Sequence, residues 1–257
     1  MEINLKNKVA VITGGTAGIG LAVAELFGRE GASIALCSRK ASNVTRTVED
    51  LEKKGIVAYG ESIDVSDRSA LFSFADGVEK KFGGIDVWVS NAGIYLPKKI
   101  VDTSEKEWQS IMDINLKSVY FGGLIAADKL KKRGGGVLIN AASFAAVMPS
   151  VGSGAYAASK AAIASLTRSL AAELAPSHIR VVGFIPGVIE TPMTESWIKN
   201  KGAILASQSA LQRIGRAEEV ANALLFLASD KASFITGVCL EISGGKFCVQ
   251  NPQDAWA

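Results

Sequence analysis

The chain has 257 residues, 48% of them hydrophobic, so it is long enough to bury a large core. Its 28 basic and 25 acidic residues leave a formal net charge of +3, too small to indicate nucleic-acid or membrane binding. No apolar run approaches the roughly 20 residues of a membrane span, and the chain begins without an apolar signal core. Three scattered cysteines and one histidine predict no disulfide and no metal site, and we expect a cytoplasmic protein.

Short apolar runs alternate with helical stretches along the whole chain. We expect strands at residues 8–13, 33–37, 57–62, 85–89, 137–140, 179–184 and 237–242. Between them we expect helices at about 19–29, 42–53, 105–132, 156–174 and 217–228, with one more between residues 62 and 85. Continuous apolar runs are typical of strands covered on both faces, so the pattern predicts an α/β fold with a parallel sheet of about seven strands. No linker divides the chain, and residues 1–257 are expected to form one domain.

A glycine-rich loop follows the first expected strand and opens the first helix. Gly14, Gly18 and Gly20 are spaced as GxxxGxG, with Thr16 and Ile19 among them. Glycines let backbone N–H groups approach an anion, and the helix N-terminus adds a favourable dipole. The loop is therefore predicted to hold the pyrophosphate of a dinucleotide, although such a corner can also need glycines for packing alone.

Further motifs follow the loop in order. They are Asn91-Ala92-Gly93 after the fourth strand, Tyr156 and Lys160 spaced as YxxxK, and Pro186-Gly187 after the sixth strand. Together with the TGxxxGIG loop, they resemble the short-chain dehydrogenase/reductase family over about residues 7–245. The resemblance implies a doubly wound Rossmann-type fold and hydride transfer between a nicotinamide cofactor and a carbonyl or secondary alcohol. It also implies a homotetramer.

The end of the second strand bears on the choice of cofactor. Ser38 stands where family members that prefer NAD carry an acid, and Arg39 follows it. A guanidinium suits a 2′-phosphate, so we predict NADP(H) in preference to NAD(H), the alternative being a solvated Arg39. Asp64 and Val65 resemble the adenine-contacting pair of the family, although Asp64 could equally cap the next helix. The resemblance adds backbone and nicotinamide contacts from Asn91, Ala92, Gly93, Pro186, Gly187, Ile189 and Thr191.

Four residues make up the expected catalytic set. Tyr156 and Lys160 lie four apart on one helix and share a face, so the ammonium is expected to lower the pKa of the phenol and make it a general acid/base. Ser143 lies at the carboxyl end of the fifth strand, where its hydroxyl can donate to the substrate oxygen. Asn115 matches the fourth catalytic position of the family, whose role is to hold a water in a proton relay to the lysine.

The segment of about 188–213 is predicted to form a lid over a small-molecule substrate. The candidate pocket walls are aromatic and aliphatic, without clustered arginine, so the sequence does not demand an anionic substrate. The walls are Tyr95, Phe144, Ala145, Val188, Met193 and Trp197. The tail, residues 246–257, extends past the family pattern, and we expect it to serve an oligomer interface rather than the active site.

Two other functions stay open at this point. A 3-oxoacyl carrier-protein reductase shares these motifs, and the basic run from Lys129 to Arg133 suits an acidic carrier protein, although a solvated helix C-terminus explains that run more simply. A non-catalytic nucleotide-binding protein would be indicated by an incomplete catalytic set, but all four residues are present.

Overall fold

The structure, a computed structural model, describes residues 3–256 as a layered α/β arrangement. Its strands are β1 (Val9–Thr13), β2 (Ser33–Ser38), β3 (Ala58–Ser62), β4 (Val87–Ser90), β5 (Gly136–Ala141), β6 (Ile179–Pro186), β7 (Ile189–Glu190), β8 (Gly215–Arg216) and β9 (Cys239–Ile242). Its α-helices are α1 (Gly18–Arg29), α2 (Ala41–Lys53), α3 (Arg68–Phe82), α4 (Glu105–Ile111), α5 (Ser118–Ile125), α6 (Gly154–Leu174), α7 (Glu195–Ser207) and α8 (Ala217–Ala228).

Seven of the strands form one parallel sheet in the order β3-β2-β1-β4-β5-β6-β9. The parallel sheet of about seven strands predicted from the apolar runs is therefore confirmed, and so is the doubly wound order that the family resemblance implies. The chain moves outward from β1 to β3 and then returns to the other side of β1 with β4. Such a reversal opens a crevice at the carboxyl ends of the central strands, which is where ligands bind in this class of fold.

Both faces of the sheet are buried by helices. Along β1, Ala10 and Ile12 pack with α1, α2 and α8, whereas Val9 and Val11 pack with α3, α5 and α6. Successive side chains of a strand point to opposite faces, so every central strand supplies apolar residues to both layers. This double burial explains why the strands read as continuous apolar runs rather than alternations.

The structure differs from the sequence prediction in the long helix and in the lid. The helix expected at 105–132 contains α4, α5 and two π-helical stretches, Met112–Lys117 and Ala126–Leu130. Within the lid, α7 forms with a kink at Lys201, and β7 pairs with β8 to join the two ends of the lid.

The helix after β3 is capped by Asp67, which accepts from the Ala70 N–H, so the alternative cap at Asp64 is wrong. None of the helices within residues 3–256 combines the length and apolarity needed to cross a membrane.

The basic run before β5 is not uniformly solvated, contrary to the simpler expectation. Lys129 is 6% exposed, and its ammonium lies 2.5 Å from Asp76 and 2.6 Å from Glu79, both on α3. Lys129 lies in the second π-helical stretch, and its side chain faces α3. Lys129 thus ties α3 to the helical segment that precedes β5.

Loss of this cation is expected to weaken the fold. Lys129→Met should lower the free energy of unfolding by about 1–3 kcal/mol, because the carboxylates of Asp76, Glu79 and Asp128 lose a shared cation, although all three keep some contact with water. Lys132→Met is the matched control, since Lys132 pairs with Asp128 at the surface, and it should change stability by less than about 0.5 kcal/mol. Urea unfolding of both variants provides the measurement, and equal losses would contradict the role given to Lys129.

Candidate active site

The glycine corner between β1 and α1 is shaped for close approach of an anion. Gly14 and Gly18 adopt left-handed φ values of 67° and 53°. A Cβ on Gly20 would collide with the Gly14 carbonyl oxygen, so this glycine is required for packing of the corner. No side chain among the described residues caps the start of α1 at Ala17, which leaves the first N–H groups available to a ligand.

The Asn91-Ala92-Gly93 segment joins the glycine corner to the end of β4. The Asn91 and Ala92 N–H groups each donate to Thr13 Oγ1 at 3.0 Å, and Asn91 Nδ2 donates to the Thr13 carbonyl at 3.1 Å. These bonds hold the carboxyl ends of β1 and β4 together. The cleft beside them is lined by Gly14, Gly18, Ile19, Asn91, Ala92, Gly93, Tyr156, Lys160, Pro186 and Thr191.

At the far end of the corner, the strands β2 and β3 bring three predicted residues together. Ser38 Oγ is buried and has no hydrogen-bond partner among the described residues. Arg39 and Asp64 line one shallow depression beside it. Burial opposes ionisation of Asp64, but hydrogen bonds from Ser66 outweigh it and, with the charge of Arg39, lower the pKa of the carboxyl. An orphaned hydroxyl beside a guanidinium fits a ribose and its phosphate.

Lys160 is the most deeply buried cation near the crevice. Its side chain is 4% exposed, and Nζ donates to the Ala141 carbonyl oxygen at 2.7 Å. The ammonium lies 5.6 Å from the centre of the Tyr156 ring. Burial lowers the pKa of Lys160 to about 8.

The pKa of Tyr156 departs from the sequence expectation. Burial raises it, the nearby Tyr95 raises it further, and a hydrogen bond with Ser143 lowers it in part. The expected lowering by Lys160 is therefore wrong for the protein without ligands. An ammonium over the ring that donates to a backbone carbonyl does not offset the loss of water around the phenol.

Ser143 and Asn115 reach the same region from different elements. Ser143 is buried after β5 and its Oγ accepts from the Ala145 N–H at 3.2 Å. Asn115 is fully buried in the first π-helical stretch, where its Oδ1 accepts from the Ile94 N–H at 2.8 Å and its Nδ2 donates to the Ile94 carbonyl at 3.0 Å. π-Helical insertions often lie at functional sites, and here the extra residue per turn accompanies the inward-facing amide.

Gly93 brings Asn115 close to the lysine. A Cβ at Gly93 would lie 3.3 Å from Asn115 Oδ1 and 3.6 Å from Lys160 Nζ, so a side chain there would crowd the Asn115 amide. Sequence reasoning missed Ser159, whose Oγ accepts from Asn115 Nδ2 at 3.2 Å and donates to the Tyr156 carbonyl at 2.6 Å. The position of Ser159 between Tyr156 and Lys160, within the YxxxK motif, is the sequence feature that could have identified it.

Next to Tyr156, an aromatic pocket opens beneath the lid. The Tyr95 ring contacts both Tyr156 and Trp197 edge to face, with ring centres 5.1 Å and 4.6 Å apart. All six candidate wall residues line this pocket together with Ser143 and Tyr156, namely Tyr95, Phe144, Ala145, Val188, Met193 and Trp197. Gly187 and Ile189 lie there as well. No Lys, Arg, Asp or Glu side chain is among its lining residues within 3–256.

Four of the predicted cofactor residues are not among those that line these openings, namely Thr16, Gly20, Ser38 and Val65. The side chain of Val65 is 5% exposed and packs in the core with Leu71 and Phe74. Gly20 is buried inside the corner, whereas Thr16 is half-buried in the glycine loop. Packing therefore explains the positions of Val65 and Gly20.

Comparisons with known proteins agree with this geometry. A family model described as Enoyl-(Acyl carrier protein) reductase matches residues 14–246. The chain is 36% identical to a 3α-hydroxysteroid dehydrogenase of Mediterraneibacter gnavus, covering 95% of this chain and 98% of that protein. It is also 36% identical to a 3-oxoacyl-(acyl-carrier-protein) reductase of Thermotoga maritima, covering 95% and 99%.

A solved structure extends the comparison to three dimensions. A 7α-hydroxysteroid dehydrogenase complexed with NADH and 7-oxo glycochenodeoxycholic acid superposes with a TM-score of 0.90 at 33% identity, covering 94% of this chain and 95% of that one. The chain belongs to the short-chain dehydrogenase/reductase family of oxidoreductases.

The buried lysine is expected to cost stability. Lys160→Met should raise the free energy of unfolding at pH 7 by about 1–2 kcal/mol, because the folded protein no longer buries a charge. The folded pKa of about 8 lies below the ordinary 10.5, so the unfolded chain binds more protons between these values. Wild-type stability should therefore rise relative to the variant from pH 8 to 10.5. Urea unfolding across this range measures the difference, and a gap independent of pH would contradict it.

Proposed function

We propose that the protein is an NADP(H)-dependent oxidoreductase that interconverts a carbonyl and a secondary alcohol, with Tyr156 as the general acid/base. The observation that carries this proposal is the convergence of Tyr156, Ser143 and Lys160 between the glycine corner and an apolar pocket. Two of these polar groups come from α6 and the third from the end of β5, and they meet at the edge of the sheet where both openings lie.

The residues present fit a dinucleotide. The uncapped start of α1 offers N–H groups to a pyrophosphate, and the buried Ser38 hydroxyl with Arg39 suits a phosphorylated ribose. Lys160, facing the cleft, would hold the hydroxyls of the second ribose, and Ile189 and Thr191 would contact the nicotinamide carboxamide. The cofactor, when bound, supplies or accepts the hydride.

Proton transfer is assigned to this chain's own side chains. Because burial keeps the pKa of Tyr156 high, the phenol is protonated near neutral pH and ready to donate to a developing alkoxide. Ser143 would donate a second hydrogen bond to the same oxygen. A water near Lys160 and Gly93 in the cleft would return a proton toward the tyrosine, with Asn115 close behind Gly93.

The pocket wall favours a neutral, ring-containing ketone or alcohol. Edge-to-face contacts among Tyr95, Tyr156 and Trp197 form an apolar aromatic surface. The hydroxysteroid dehydrogenases to which the chain is similar support the same class of substrate. The homotetramer implied by the family stays a prediction, supported by Leu240 and Val238 at the exposed end of the sheet.

A 3-oxoacyl carrier-protein reductase remains the second candidate, because a relative of that name is as similar as the steroid enzyme. The basic run from Lys129 to Arg133 supports this function less than its sequence indicated, since Lys129 is buried by its ion pairs and unavailable to a carrier protein. Turnover of cyclic ketones with no turnover of acyl carrier substrates would favour the first proposal, and the reverse pattern the second.

Removing the phenol oxygen should abolish turnover. Tyr156→Phe is expected to lower kcat at least about 10³-fold, because only the proton donor is lost, with the Kd for NADPH within about twofold of wild type. Tyr120→Phe, at an exposed tyrosine of α5, is the control and should retain activity. Steady-state kinetics and fluorescence titration measure both quantities. Surviving turnover in the Tyr156→Phe variant would show that another group transfers the proton.

Arg39 is expected to bind the 2′-phosphate of NADPH. Arg39→Ala should raise the Kd for NADPH about 10- to 100-fold, through loss of a charge-assisted hydrogen bond, and leave the Kd for NADH within about twofold. Arg46→Ala, on the exposed side of α2, should change neither. Fluorescence titration of each variant with NADPH and with NADH measures the two Kd values. Equal weakening of the two cofactors would mean that Arg39 does not contact the phosphate.

A further inference from the structure

The tail, residues 246–257, and Gly244 just before it lie against the lid of their own chain. The Leu211 N–H donates to the Gly244 carbonyl at 3.1 Å, and Trp256 Nε1 donates to the Ala210 carbonyl at 3.1 Å. Lys246 Nζ donates to Gln208 Oε1 at 2.9 Å. These three bonds all reach the stretch that leaves α7, which we call the lid exit (residues 208–213).

Lys246 also touches a wall of the substrate pocket. Its ammonium lies over the Phe144 ring, 5.0 Å from the ring centre, and the side chain is 7% exposed. Phe247 packs in the same small apolar cluster as Phe144. Burial lowers the pKa of Lys246, and no ion pair within residues 3–256 includes it.

A buried ammonium without a carboxylate depends on the few partners that it keeps. Here those partners are the amide oxygen of Gln208 in the lid and the ring face of Phe144 in the pocket wall. Charge-assisted hydrogen bonds and desolvated cation–π contacts are both strong and short-ranged. The lid exit and the pocket wall can therefore move apart only if this cation loses one of its two partners.

We propose that Lys246 is a positioning residue that maintains the substrate-binding shape of the pocket, by fixing the lid exit against Phe144. It does not touch the substrate but holds the wall and the lid at one separation. The inference rests on the proposed function, because it assigns the aromatic pocket to the carbonyl substrate.

The first test compares Lys246→Met with Lys231→Met, an exposed lysine far from the lid. Lys246→Met keeps the apolar stem and removes the charge. We expect its KM for a cyclic ketone to rise at least about fivefold, with kcat and the Kd for NADPH within about twofold of wild type. Lys246→Arg should restore at least half of the loss, and Lys231→Met should change nothing. An unchanged KM in Lys246→Met, or a fall in kcat alone, would overturn the proposal.

Paired substrates separate positioning from direct contact. A neutral cyclic ketone and its carboxylate-bearing analogue should show similar rises in KM in Lys246→Met. A rise confined to the carboxylate would mean that the ammonium binds the substrate itself, which would overturn the positioning role. Gln208→Leu removes the oxygen that accepts the hydrogen bond from Lys246, at an exposed position of the lid. It should reproduce the rise in KM, and the double variant with Lys246→Met should show no further rise.

Hydrogen exchange provides a readout that needs no substrate. The Leu211 amide, bonded to Gly244, should exchange at least about tenfold faster in Lys246→Met, whereas core amides of β1 and β4 should be unchanged. Unchanged exchange at Leu211 would overturn the link between tail and lid. If no ketone is turned over by the wild type, the proposed function fails, and faster exchange would still support the link between tail and lid.

Discussion

The burial of the Lys160 ammonium is the constraint around which the rest of the site is arranged. A cation at the sheet edge with a pKa lowered to about 8 is unfavourable by itself, and it is retained by the carbonyl of Ala141 and the face of the Tyr156 ring. The residues next to this ammonium are therefore small or polar. Gly93 has no side chain at the point where a Cβ would lie 3.3 Å from Asn115 Oδ1 and 3.6 Å from Lys160 Nζ.

The helix beside this lysine contains a π-helical stretch that carries a second buried polar side chain, Asn115. Asn115 is fully buried within a helix, where an amide has few partners. The π-helical stretch accompanies its inward position, and the backbone of Ile94 satisfies both ends of the amide. Ser159 then connects Asn115 to the helix that carries Tyr156 and Lys160. A hydrogen-bond network therefore joins the segment after β4, the π-helical stretch and α6 behind the aromatic pocket.

The two openings beside this network differ in character because of where the strands end. Toward β1, β2 and β3 the surface offers backbone N–H groups, a hydroxyl and a guanidinium, which suit a phosphorylated nucleotide. Toward the lid, aromatic and aliphatic side chains line a pocket without charged residues, and Ser143 and Tyr156 are among its polar groups. One site thus offers a polar cleft for a cofactor and an apolar pocket for a substrate on either side of Tyr156.

The sequence by itself determined the parallel sheet and its seven strands, because apolar periodicity is a local property of the chain. The catalytic roles of Asn115, Ser143, Tyr156 and Lys160 are what the family resemblance implies, and they stay a prediction. Only the tertiary structure decided the ionisation of Tyr156, since burial depends on neighbours such as Tyr95 that are distant in sequence. The same holds for Lys129, whose charge pattern indicated solvent but whose partners lie on α3. The contact of the tail with the lid exit joins segments 38 and 46 residues apart in its two side-chain bonds, and no local pattern encodes it. Packing and electrostatics between distant elements therefore determined what periodicity and motifs leave open.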